Sequence, residues 1–70
     1  MFILIFKFRP YKWKDGLVVT SDNVDALKKI RAMIEQHAKD RVCKLLEVPP
    51  DWGWRMFLQD WLEKWGESVV

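Results

Sequence analysis

A small α+β domain with the order ββαβα is the fold this sequence predicts, and three observations predict it. Short stretches rich in Phe, Ile and Val occupy residues 2–9 and 17–20. A run with apolar residues every three to four positions fills the middle of the chain. A further apolar stretch then ends at a proline pair, and a second helical pattern follows it. Seventy residues make one domain, 1–70, with no internal repeat, linker or low-complexity tract.

The first strand spans Phe2 to Arg9. Phe2, Leu4, Phe6 and Phe8 share one face, and Ile3 and Ile5 share the other, which turns basic at Lys7 and Arg9. Apolar residues on both faces mark an interior strand covered on both sides. Pro10 removes a backbone donor and ends or bends the strand. Asp15-Gly16 is a hairpin signal, because a type I′ turn needs positive φ. Leu17 to Thr20 is the return strand, with two open pairings: residues 11–14 or, across a wider loop, residues 5–9.

Thr20-Ser21-Asp22-Asn23 is dense in helix caps, and Asp22 followed by Asp25 has the form of a capping box with a shorter acid. Val24, Leu27, Ile30, Ile34 and Ala38 recur at helical spacing, with Lys28, Lys29, Glu35 and Lys39 opposite, so a helix is expected over residues 22–39. Arg41 to Val48 reads as the third strand, with Val42, Lys44, Leu46 and Val48 on one face and Cys43, Leu45 and Glu47 on the other. Pro49-Pro50-Asp51 stops it and opens a helix expected to run from Asp51 to Trp65, with Gly66 as the stop. A β-α-β crossover joins parallel strands. With the first strand in the middle, the three-stranded sheet takes the order 2-1-3, the first helix covers one face, and the second covers the other, packs beside the first, or packs on another molecule.

Composition narrows the function classes. Cys43 is the single cysteine and His37 the single histidine, so no internal disulfide forms and no four-ligand zinc site is expected. No phosphate-cradling glycine loop, nucleophile–base–acid set or metal-ligand cluster appears, and an enzyme is not expected. His37 reads as the boundary of an apolar stripe and Cys43 as a small core residue. No cofactor is expected. The opening MFILIF is too short for a signal peptide, no run reaches membrane-spanning length, and a lone cysteine suits a reducing compartment. The expectation is a cytoplasmic, soluble chain with no membrane partner.

Two features remain for function. Residues 1–14 carry Lys7, Arg9, Lys12 and Lys14 and no acid, whereas residues 49–70 carry four acids against two bases. Within the basic stretch, Phe8, Tyr11 and Trp13 alternate with the charges. That mixture suits an acidic protein surface or stacked bases and phosphates, and equally a solvated hairpin whose lysines protect a sheet edge. The second feature is the C-terminal helix. Trp54, Leu58, Trp61 and Trp65 fall on one stripe flanked by Phe57 and Leu62, while Trp52 and Met56 lie opposite. The stripe is core or a docking face; if it is core, Trp52 and Met56 are exposed and become the better interface candidates. The tail Glu67-Ser68-Val69-Val70 has the Ser-x-Val form that PDZ domains read by strand addition, a short match that arises often by chance.

A strand at the start (Phe2–Phe8), a hairpin, a capped helix (Ser21–Ile34) and a third strand (Val42–Val48) give a layout that resembles the small single-domain inhibitors that bacteriophages and mobile elements direct against host enzymes or defence systems. The resemblance implies a non-enzymatic protein-binding module that occludes a larger host protein or complex. From the residues themselves, the expected contact set is Tyr11, Trp13, Trp52 and Met56 as anchors, with Lys7, Arg9, Lys12 and Lys14 steering. The alternatives are a nucleic-acid-binding module using residues 7–14, and a homodimer through the tryptophan-rich helix.

Overall fold

A computed structural model describes residues 1–66 of the chain; the Ser-x-Val tail lies outside the described residues. The elements are β1 (Phe2–Phe8), β2 (Leu17–Ser21), α1 (Val24–His37), β3 (Arg41–Glu47) and α2 (Trp54–Trp65), with a short 3-10 turn at Trp13–Asp15 between the first two strands. The fold is α+β, and the sheet order is β2-β1-β3.

Both neighbours run antiparallel to β1, so β2 and β3 are parallel to each other and α1 is the crossover between them. In the β1–β3 ladder Phe2 faces Glu47 and Phe8 faces Arg41; the Val48 amide extends it by donating to the Met1 carbonyl at 2.9 Å. In the β1–β2 ladder Phe2 faces Ser21 and Phe6 faces Leu17. The return strand therefore pairs with residues 2–6. Neither 11–14 nor 5–9 is its partner stretch as a whole, although the wider loop is the correct form. The reason lies at Asp15-Gly16, which makes no two-residue turn. Gly16 has φ of −76° and closes the 3-10 turn, its amide donating to the Trp13 carbonyl at 2.9 Å.

Alternation along β1 feeds two cores. Ile3 and Ile5 are buried in a cluster with Trp13, Val48 and Leu58, against which Trp54, Phe57, Trp61 and Leu62 of α2 pack. Leu4, on the opposite face, is buried but belongs to no part of that cluster; so is Leu27 of α1, the helix that meets all three strands. The two helices thus cover opposite faces of the sheet. Each fully buried large apolar side chain contributes about 1.5–3 kcal/mol, and a three-stranded sheet needs both layers to collect enough of them.

The helix ends differ from expectation by two residues at each end of α1 and by three at the start of α2. The N-cap of α1 is Asn23, whose side-chain Oδ1 accepts from the Asp25 amide at 3.0 Å, while the Asn23 amide donates to Ser21 Oγ at 3.0 Å. Asp22 takes no part in this cap. Helix α2 starts at Trp54 with Gly53 as N-cap, because Pro49–Trp52 first forms a turn closed by the Trp52 amide on the Pro49 carbonyl at 3.1 Å.

Candidate functional site

Beyond the Phe6–Leu17 pair, β1 continues to Phe8 without β2 beside it. The connecting chain swings away through a cis Arg9–Pro10 peptide and is held by backbone hydrogen bonds that include Tyr11 donating to the Phe8 carbonyl (2.8 Å), Asp15 to Lys12 (3.0 Å), and Arg9 to Asp40 in the α1–β3 connection (2.8 Å). Gly16 then passes so close to β1 that a Cβ there would stand 2.8 Å from the Phe6 carbonyl oxygen. The gap between this excursion and the end of β1 is a cleft of about 360 Å³ lined by Phe6, Lys7, Phe8, Tyr11, Asp15 and Leu17.

The lining is mostly apolar, and much of it is open. Phe6 and Leu17 are cross-strand partners and Phe8 lies two residues along, so all three side chains project from the face that α1 covers further up. Leu17 is 63% exposed and Tyr11 61%. Across the sheet the Arg41 guanidinium sits 4.5 Å from the Phe8 ring centroid and 5.9 Å from that of Phe6, within cation–π range of both. Its Nε is buried without a hydrogen-bond partner.

Two residues expected on the contact surface point inward instead. Trp13 is 1% exposed, and its indole packs edge-on against Trp61. Lys7 is 4% exposed, its ammonium 5.0 Å from the Trp13 ring centroid. The 3-10 turn delivers its first residue into the space between the Ile3/Ile5 face and α2, and Lys7, on that same face, is covered by it; the Trp13 amide also donates to the Gly66 carbonyl at 3.3 Å. A ring and a base are thereby withdrawn from the basic stretch. Arg9, Tyr11, Lys12 and Lys14 remain exposed.

The tryptophan stripe is also mostly interior. Leu58 is buried and Trp54, Phe57, Trp61 and Leu62 are half-buried against the core; Trp65 alone of the stripe is exposed. Trp52 and Met56 are exposed, as a core stripe requires, but Trp52 leans edge-on against Phe57 with centroids 6.3 Å apart. Leu17 is a functional candidate that sequence reasoning did not name, and Phe8 one that it noted among the aromatics of the basic stretch but left out of the contact set. The signal for Phe8 was its place on the same period-two apolar face as Phe2, Leu4 and Phe6.

Among the described residues, no three His, Cys, Asp or Glu side chains gather as a metal cluster, and no helix is long and apolar enough to cross a membrane. His37 is exposed in the last turn of α1. Burial pushes the Cys43 thiol pKa up, Glu35 adds to that, and Arg31 and Arg41 partly oppose it, so the reactive thiolate is disfavoured. No family model, curated protein or solved structure matches the chain.

Proposed function

We propose that the chain is a non-enzymatic protein-binding module whose contact surface is the cleft beside β1, and that it acts, as phage-type inhibitors do, by occluding a functional surface of a larger protein. One observation carries this reading: Phe8, Tyr11 and Leu17 stay exposed around a single apolar concavity while Trp13, next to them in the chain, is fully buried. A domain this small had apolar surface to spend on its core and leaves this part of it in water. Exposed apolar groups gathered in one concave place are what binding surfaces have and ordinary surfaces lack. Anchoring by Tyr11 and Leu17 and steering by Arg9 and Lys14 follow from their exposure.

The test is affinity capture from the native host with paired variants. Leu17→Asp and Tyr11→Ser should lose a partner that wild type and Met56→Ser both retain. Retention by the cleft variants with loss in Met56→Ser or Trp52→Ser moves the contact surface to the start of α2. Binding of nucleic acid at low salt, falling steeply as salt rises, would replace the reading with the nucleic-acid alternative.

A further inference from the structure

Resting on the protein-binding reading above, we infer that the occupant of the cleft is a short acidic segment of the partner that inserts one large apolar side chain, an aromatic or leucine flanked by Asp or Glu. Size, charge and shape each point to it. A cleft of about 360 Å³ lies at the small end of ligand sites, which span about 300–1,000 Å³. It has room for one bulky side chain and leaves the flanking backbone at the rim. The floor, Phe6, Phe8 and Leu17, offers that side chain only apolar contact.

Charge sets the flanks. Lys7 and Asp15 line the cleft, Arg9 and Lys14 adjoin its lining residues in the chain, and Arg41 lies over the Phe6 and Phe8 rings. The Lys7 ammonium is turned inward against Trp13, so one acid stands against three remaining bases; carboxylates at the rim are attracted and basic flanks are repelled. The Arg41 Nε, buried with no partner, places an unspent donor beside these rings. A nucleic acid fits less well. With Trp13 and Lys7 turned inward, the rings left outside border a concavity; they do not form the flat platform on which successive bases stack.

The probe is a fluorescein-labelled nine-residue peptide with one central phenylalanine between Asp/Glu flanks. It is compared with one carrying alanine at the centre and one carrying lysine flanks. Binding is followed by anisotropy, and contacts by amide shifts in an NMR titration. The acidic peptide should shift the Phe6, Phe8 and Leu17 amides and leave Met56 unmoved. Its affinity should fall about tenfold or more on removal of the central ring, on Leu17→Asp, or on the Arg9→Glu/Lys14→Glu double change. All three altered positions are exposed, so the fold is expected to survive, and spectral dispersion checks that it does. Equal or tighter binding of the lysine-flanked peptide overturns the inference. So does saturation by the acidic peptide with shifts confined to α2. If the acidic peptide does not bind while Leu17→Asp still abolishes capture of the native partner, the acidic-segment inference fails and the protein-binding reading stands; if that capture is also unaffected, both fail.

Discussion

The indole of Trp13 meets that of Trp61 edge to face, with ring centroids 5.7 Å apart and planes at 79°. This contact ties the β1–β2 connection to α2 and closes the core over Ile3 and Ile5. Trp13→Ala should therefore destabilise the domain by about 3–5 kcal/mol, enough to unfold much of it, since small domains have only about 5–15 kcal/mol in total. Urea denaturation followed by circular dichroism measures it. Combining Trp13→Phe with Trp61→Phe in a double-mutant cycle should give a coupling of about 0.5–1.5 kcal/mol. Wild-type stability in Trp13→Ala would mean that the ring lies outside the core.

Lys7 should behave as a packing residue. Its stem is buried beside Trp13, and the attraction of its ammonium for the ring is offset by the cost of removing that charge from water. Lys7→Met keeps the stem and should stay within about 1 kcal/mol of wild type, whereas Lys7→Ala should lose about 2 kcal/mol or more. Thermal melts of the two variants decide; equal losses in both would place the weight on the charge.

The start of α1 offers a sharper test between neighbours. Asn23→Ala removes the side chain that caps the Asp25 amide and should cost about 1 kcal/mol. Asp22→Ala removes only a charge near the positive end of the helix and should cost a few tenths, about 0.3 kcal/mol. The reverse order in denaturant titrations would restore Asp22 as the cap.

Cys43 should give stability an alkaline limit. Its folded pKa is raised above the ordinary 9.0, first by burial and then by Glu35. The native state therefore holds its proton to higher pH than the unfolded chain does. The resulting stabilisation is complete below the unfolded pKa and is lost as pH rises from there through the folded value. Subtracting Cys43→Ala from wild type in denaturation curves between about pH 7 and pH 10 isolates this slope. Iodoacetamide should alkylate the folded protein more slowly than the urea-unfolded one at the same pH.

Much of this architecture is legible in the residues. Phe2–Phe8 is apolar on both faces and becomes the central strand with a helix on each side; the spacing from Val24 to Ile34 becomes α1; the α2 stripe from Trp54 to Leu62 turns to the core. What escaped reading lies where no period operates. Asp15-Gly16 carries the composition of a tight hairpin, but Gly16 is needed for its lack of a side chain beside the Phe6 carbonyl, with φ negative. Trp13 sits in a 3-10 turn of three residues, and a turn so short has no repeating face to show which way its ring points. The contact set lost Trp13 and Lys7 for that reason. The same excursion left Phe8 and Leu17 uncovered, because the β1–β2 ladder ends at Phe6 while β1 runs on to Phe8.

The central position of β1 also shapes how the molecule is made. Of the three strands, β1 is synthesised before its partners: it pairs on one side with β2, but its other side waits for β3, where Phe2 finds Glu47, and its Ile3/Ile5 face waits for Leu58 and Trp61. Until then the most apolar segment of the chain is only half housed. Contacts so far apart in the chain slow folding, and a nascent chain in this condition is a natural client for whatever shields bare strands during translation.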